Sequence, residues 1–307
     1  MNICDKIVAS YVNGNYSVCL LSDGTKVRFS NDDTFCAAFP ESIDVKITNY
    51  CDANCPMCHE NSSVDGEHGD LNHPFFDSLA AGTELAIGGG NPLAHPQLEG
   101  FLQRMKAQGV VCNLTVNQRH FMQQRTFLDS LCRSKLVHGV GISVLYSYST
   151  DLQPIINFAN AYPHCVIHLI AGAAAPILWQ KLSNHGLKVL VLGYKMFGRG
   201  TDFANNNKMD LYCSLAWLKK EISTIAKGFA SISFDNLAIE QLDVKGMLDK
   251  DFFDAHYMGD DGDFTMYVDL VTEQFALSST TAHRHKLTAS INQMFAAVKS
   301  DKQAQVN

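Results

Sequence analysis

From residue 43 onward the sequence alternates between two patterns, and this limits the possible folds more than any other feature. Short β-rich runs begin near Ile43, Thr83, Val110, Gly139, Cys165 and Leu187, with a weaker one near Phe229. Helical stretches fill the intervals. Pro96 to Gln108 carries Leu98, Phe101, Leu102 and Met105 on one face and stops at Gly109. Met209 to Ala226 does the same with Leu211, Leu215, Leu218, Ile222 and Ile225, before Gly228. Ala175 to His185, stopped by Gly186, is another helix. Apolar steps of three and four residues mark a helix face. Strands alternating with helices make a parallel sheet the default architecture, and about six such units suit a partial barrel.

The two ends read differently. Tyr11 to Leu20 with an Asn13-Gly14 turn, then Asp23-Gly24 and Lys26-Val-Arg-Phe29, form a small antiparallel meander; Asn-Gly and Asp-Gly between strand-like runs are hairpin signals. At the other end Asp263 to Val271 alternates, turns at Thr272-Glu273-Gln274 and returns along Phe275 to Ser279, a second hairpin. A last helix puts Leu287, Ile291, Met294, Phe295 and Val298 on one face, with Asp301 to Asn307 expected to fray. The expected organisation is a β meander over 1–40, a partial (β/α)6-type barrel over 41–235 and a C-terminal extension over 236–307.

At 307 residues, with 46% hydrophobic and 18% charged residues, the chain can bury a sizeable core. No apolar run approaches a membrane span. Met1-Asn-Ile-Cys-Asp5 lacks the basic-then-apolar layout of a secretory signal. The net charge of −7 argues against broad binding of a phosphate backbone. Seven of the ten cysteines (Cys4, Cys19, Cys36, Cys112, Cys132, Cys165, Cys213) sit mostly in apolar surroundings, where a free buried thiol is the usual state. The expected location is a reducing cytoplasm.

The other three cysteines are clustered. Cys51-Asp-Ala-Asn-Cys55-Pro-Met-Cys58 directly follows the run Ile43-Asp-Val-Lys-Ile-Thr48. Three thiolates on one loop can converge on a soft metal centre. Zinc normally recruits a second ligand pair further on, and no second CxxC follows. An iron–sulfur cluster normally takes four cysteines, so three imply one iron left open. A zinc site, a redox pair and plain buried thiols remain alternatives, with Cys36 the nearby candidate for a fourth ligand and His59 a candidate for a Cys3His site.

The spacing CxxxCxxC after the first strand of an α/β pattern resembles the signature of the radical S-adenosylmethionine (SAM) superfamily. The resemblance covers about residues 43 to 200. It implies a 4Fe-4S cluster on Cys51, Cys55 and Cys58, with the amine and carboxylate of SAM on the fourth iron. Ile87-Gly-Gly-Gly-Asn-Pro-Leu93 is similar to the family's Gly-Gly-Glu motif, so Gly88, Gly89 and Gly90 become SAM contacts; Asn91 stands where Glu is usual. An amide can still accept from an ammonium, without the charge-assisted gain. Met57 takes the usually aromatic place beside the adenine, and a thioether can fill that space. Leu114-Thr-Val-Asn117 resembles the family's third-strand ending, which makes Asn117 a lining residue. Ser143 stands where a ribose contact is often found, and Ile167-His-Leu-Ile-Ala-Gly172 is loosely similar to the adenine-contacting motif, with His168 also readable as a core histidine.

Barrel enzymes work at the C-terminal ends of their strands. There Lys195 and Arg199, among Gly193, Gly198 and Gly200, form a basic pair that points to an anionic substrate group; a solvated loop is the other reading. His59 and Glu60 follow the cluster and can face the cavity. His283-Arg-His285 lies on a polar run and reads as solvated. The resemblance implies an enzyme that cleaves SAM reductively to a 5′-deoxyadenosyl radical, which abstracts hydrogen from a metabolite, nucleoside or peptide. It also implies an electron donor such as flavodoxin or ferredoxin. No cysteine follows Cys213, so the cysteine-rich tail that holds auxiliary clusters in many peptide-modifying relatives is not expected, which makes a peptide-maturing enzyme a less favoured expectation. The alternative is a non-catalytic protein that binds an iron–sulfur cluster or zinc.

Overall fold

The computed structural model describes residues 7–22, 24–145 and 151–306. Cys4, with the rest of the first six residues, and Asp23 of the expected Asp23-Gly24 turn lie outside them. A small antiparallel sheet comes first, formed by β1 (Ile7–Asn13), β2 (Tyr16–Leu21) and β3 (Lys26–Phe29). Its first turn is Gly14-Asn15, because Asn13 already pairs with Tyr16. Asn13 is buried instead, and its Oδ1 accepts from the Ala38 N–H at 2.7 Å.

Glu41 ties this meander to the rest of the molecule. Its fully buried carboxylate accepts from Tyr16 Oη at 2.6 Å and from Arg28 Nε at 2.7 Å, with Lys26 Nζ at 3.2 Å. Burial alone would raise the pKa of Glu41; the Arg28 bond, the Lys26 charge and the Tyr16 bond outweigh it and hold the group below its usual range.

The β-rich runs become β4 (Ser42–Thr48), β5 (Glu84–Gly89), β6 (Val111–Asn117), β7 (Gly139–Ser143), β8 (Cys165–Ile170), β9 (Lys188–Leu192) and β10 (Ser231–Phe234). From β5 onward each pairs in parallel with its predecessor. Between them lie α1 (Leu98–Gln108), α2 (Gln118–Arg133), α3 (Gln153–Ala161), α4 (Pro176–Leu182), α5 (Arg199–Asn206) and α6 (Lys208–Ile225). Gly109 closes α1 in the left-handed region, as the glycine stop requires. Asn117 caps α2, its Oδ1 accepting from Arg119 N–H at 2.9 Å. The helix expected over Met209 to Ala226 buries only Leu218 and Ile222 fully, and Met209 and Tyr212 stay exposed.

The C-terminal part does not stand apart as a separate hairpin and helix. Short helices α7 (Asn236–Leu242), α8 (Val244–Met247) and α9 (Lys250–His256) lead into β11 (Thr265–Asp269), which pairs in parallel with β4 on its free side. β12 (Gln274–Ala276) and β13 (His285–Lys286) then extend that edge antiparallel. The ten-stranded order is β10-β9-β8-β7-β6-β5-β4-β11-β12-β13. The hairpin expected at 263–279 is therefore real, but its first strand belongs to the main sheet: Met266 and Val268, buried on the face of Ile43 and Val45, continue one core. The last helix, α10 (Ile291–Val306), carries Ile291, Met294, Phe295 and Val298 buried; Leu287 precedes it, and residues 301–306 continue the helix where fraying was expected.

The sheet curls. Lys195, just after β9, donates to Ser279 Oγ, just after β12, at 2.8 Å. Those strands are seven places apart, about 34 Å in a flat sheet at 4.8 Å per strand. Only a strongly curved sheet lets the loops at its two ends touch, so the strands wrap a concave inner face. Side chains alternate across each strand. On β4, Ile43, Val45 and Ile47 pack into the core, while Asp44, Lys46 and Thr48 take the inner side. Among the described residues no helix is long and apolar enough to cross a membrane.

Candidate functional site

The connection after β4 carries the three cysteines, and five hydrogen bonds hold it. Cys51 N–H bonds Ser63 O at 2.7 Å, closing the connection upon itself. Arg199 donates from Nε to Cys55 O at 3.1 Å and from Nη1 to Ser62 O at 2.9 Å. Asp52 accepts from His120 Nε2 at 2.7 Å. Asn117, at the end of β6, points Nδ2 at Cys55 Sγ, 3.4 Å away. His120 has no exposure; burial lowers its pKa against the pull of Asp52, so the imidazole is neutral and the contact is a hydrogen bond.

The three thiols lie near enough to act on one another. Burial pushes the Cys55 thiol up to about 11, with Cys58 and Cys51 adding to the rise and Arg199 and Asn117 opposing it. Burial also raises Cys51. Among the described residues the ligand atoms that gather within 4.8 Å of one another as a group of three are those of His283, His285 and Asp301. Cys36 and Cys213 are exposed and Cys19 and Cys132 half-buried; Cys112 and Cys165 are the buried thiols among the described cysteines. The expectation of mostly buried thiols is therefore met at those two alone among the described cysteines: Cys36 lies in the loop between β3 and β4, and Cys19, Cys132 and Cys213 lie on elements with one face toward solvent.

The glycine turn after β5 lies against the same connection. Gly90 N–H bonds Thr48 O at 2.8 Å and Asn91 N–H bonds Tyr50 O at 2.7 Å. Gly89 has φ of +108°, and a Cβ on it would stand 2.4 Å from Thr48 O; one on Gly90 would stand 2.2 Å from Tyr50 O. Those two glycines are explained by backbone packing. Gly88 is different: a Cβ there would meet only Thr115 Cβ at 4.0 Å, so it opens room on the inner face. Asn91 is 3% exposed, and its Oδ1 has no hydrogen-bond partner. A buried unsatisfied amide oxygen costs about 1–3 kcal/mol, and an outside donor would relieve it.

Asn117, Ser143 and His168 share one lateral row, paired β6 to β7 to β8. His168 fills the space left by Gly141, whose added Cβ would stand 2.2 Å from the ring; burial lowers its pKa to about 4. It is a neutral, half-buried histidine of the inner face and not a core residue. Met57 is buried beneath the connection.

Lys195 and Arg199 do not form a pair. Arg199 is committed to the cysteine connection, and Gly198 (φ +51°) rests on it, since a Cβ there would stand 2.7 Å from His59 O. Lys195 lies instead beside Ser279 in a small cavity of about 100 Å³ that it shares with Asp44, Asp235 and Asp261. Asp44 is open to that space yet walled by protein. Desolvation raises its pKa to about 6; Lys195 opposes the rise, and Asp261 and Asp235 add to it. With three carboxylates around one ammonium, the cavity does not offer the anion site expected from the basic pair.

Sequence reasoning missed a buried charge cluster beside Cys58. Lys46 Nζ lies 2.8 Å from Glu60 Oε2 and 3.3 Å from Asp269 Oδ2; His59 Nε2 lies 3.3 Å from Glu60, and Tyr267 Oη donates to Glu60 at 3.4 Å. Burial would raise Glu60, but the His59 bond and the Lys46 charge hold it far below its usual range. Burial likewise disfavours charged Lys46, and Glu60 outweighs it. The charged residues Asp44 and Lys46, alternating with Ile and Val, were the available signal of a polar inner face.

The donor set fits the group implied by the cysteine motif: an odd number of thiols, an amide N–H on one sulfur, an orphaned buried acceptor and an open glycine all meet at one end of the sheet. No protein-family model matches the chain, and no curated protein matches it. Among solved structures it is similar to SuiB of Streptococcus suis. The likeness to SuiB alone covers 97% of this chain and 88% of that one, with a TM-score of 0.56 and 10% identity. For SuiB bound to S-adenosylmethionine the figures are 82% and 64%, 0.53 and 14%. For SuiB bound to precursor peptide SuiA they are 78% and 60%, 0.50 and 13%. In these last two the chain spans less than two thirds of the matched protein's length. At such identities the likeness shows the fold.

Proposed function

We propose that this chain is a radical SAM enzyme. The observation that carries the reading is the meeting of Cys51, Cys55 and Cys58 with the unpartnered, buried Oδ1 of Asn91 on adjoining strand ends. The shared fold with a protein that binds S-adenosylmethionine supports it. Cys51, Cys55 and Cys58 would hold a 4Fe-4S cluster, and SAM would lie along Gly88 with its ammonium toward Asn91. When bound and reduced, the pair supplies a 5′-deoxyadenosyl radical able to take a hydrogen atom from a substrate.

The protein's own residues bind, orient and tune. Arg199 and Asp52, the latter through His120, fix the cysteine connection. Asn117 places an N–H on Cys55 Sγ, and hydrogen bonds to cluster sulfurs raise the reduction potential. Ser143 and His168 line the inner face where the nucleoside of SAM would lie, and Met57 packs below. An external electron donor such as flavodoxin or ferredoxin would be needed. The substrate is read less sharply: Lys195 stands among carboxylates, so the site favours a group that tolerates an acidic wall. SuiB binds a precursor peptide, and a peptide is one substrate class the curved face can take.

Metal analysis tests the reading. Anaerobically reconstituted protein should hold about four iron and four sulfide per chain and be brown. Alanine at Cys51, Cys55 or Cys58 should remove most of both, while Cys36→Ala and Cys213→Ala should not. A colourless protein loaded with one zinc would favour the non-catalytic alternative.

A further inference from the structure

His283 and His285 are two residues apart, with β13 beginning at the second. The two rings stand 4.6 Å apart, edge to face. Asp301, on α10, reaches up to both: Oδ2 is 2.7 Å from His285 Nε2, and Oδ1 is 3.8 Å from His283 Nε2. One ligand atom from each of the three lies within 4.8 Å of the other two. His285 is oriented from β12, its ring stacked on Phe275 at 5.0 Å and 19°. Asp301 and His285 are partly buried, whereas His283 is exposed and stands where an ion would enter.

We infer that His283, His285 and Asp301 form a second metal site, separate from the cysteine connection, for one divalent first-row transition ion such as zinc. Two imidazoles and one carboxylate are a borderline donor set of the kind that takes zinc, cobalt or nickel; calcium and magnesium prefer oxygen alone. Three protein ligands leave a position for water. The aspartate already presents one oxygen to each ring, so closing on an ion needs only a small movement of the exposed His283.

The ion would act as a clamp. β13 is two residues long and pairs with β12 only through Gln274↔Lys286 and Phe275↔His285. Between the histidines, Arg284 takes the other side of the chain; its Nη2 bonds Ser279 O at 2.7 Å, and its guanidinium lies 4.9 Å from the centre of the Tyr267 ring. Tyr267 in turn donates to Glu60, two residues after Cys58. An ion bound outside the strand would therefore steady the segment that presents Arg284 to the inner face. The site shares no ligand with the cysteine connection, and the Cys55→Ala protein separates the two.

The test is an anaerobic titration of the full chain, cluster in place and loosely held metal removed by chelator, with zinc and, in parallel, cobalt. Wild type should take up one equivalent beyond the cluster, with visible cobalt absorption lacking a thiolate band. His283→Ala and Asp301→Asn should weaken that uptake by at least about tenfold, since even outer partners of metal ligands are worth that much. The uptake should persist in Cys55→Ala. Equal zinc affinity in wild type, His283→Ala and Asp301→Asn would overturn the site, as would a cobalt signal lost in Cys55→Ala but kept in His283→Ala.

Discussion

Asn91 shows how a single side chain is legible in part. The sequence places an amide where an acidic residue is usual, after three glycines, and that much is read directly. That its Oδ1 is buried without a partner follows only from the packing of the turn against Thr48 and Tyr50. Replacing Asn91 by Ala removes one acceptor and should weaken SAM binding by about 1 kcal/mol, about fivefold in Kd. Asn91→Glu should bind at least as tightly. Equilibrium binding of SAM to reconstituted protein checks both, and an unchanged Kd in both variants would detach Asn91 from the ligand. Lys46 and Glu60 mark the opposite limit: their ion pair joins β4 to the residue two after Cys58, and nothing in local periodicity announces a partner across a loop.

At the scale of elements, the loop after β9 was read by composition and serves by contact. Its glycines and basic residues suggest a binding loop in the sequence. In the structure Gly198 and Arg199 seat the cysteine connection, 144 residues away along the chain in the case of Arg199 and Cys55. Periodicity found the strands β4 to β10 because hydrophobic alternation is local. It could not find β11 beside β4, because strand order depends on which edge is left open once six crossovers have wound one way. The loop contact gives a clear expectation. Arg199→Ala and Gly198→Ala should each lower the iron retained per chain, because the connection loses a clasp or gains a clash, whereas Lys195→Ala should retain full iron. Iron per chain after reconstitution and gel filtration measures this. Full iron and normal substrate-free SAM cleavage in Arg199→Ala, with substrate turnover lost, would return Arg199 to the substrate.

For the whole molecule, the curled sheet is closed off below by the meander through Glu41 and carries the cysteine and glycine connections together at its other rim. Removing the Glu41 charge should show how much the lower tie contributes. Glu41→Gln leaves Arg28 without its counter-charge, while Lys26 keeps Glu84 at 2.6 Å; breaking a buried pair such as Arg28–Glu41 costs about 3–5 kcal/mol. The pH dependence follows from the lowered pKa. The folded group stays ionised below the pH at which the unfolded one protonates, so its stabilisation is complete above the ordinary value of 4.5 and is lost as pH falls through the folded pKa. The Tm gap between Glu41→Gln and wild type should therefore be widest near neutrality and shrink in acid; a gap constant with pH would assign the loss to packing.

The rim decides the function, and one assay addresses it. Reconstituted, dithionite-reduced protein is incubated with SAM under anaerobic conditions, and 5′-deoxyadenosine and methionine are quantified. Wild type should release both in equal amounts, and alanine at Cys51, Cys55 or Cys58 should abolish release. No release from wild type with about four irons per chain, or release that survives Cys55→Ala, would contradict the reading of this chain as a radical SAM enzyme.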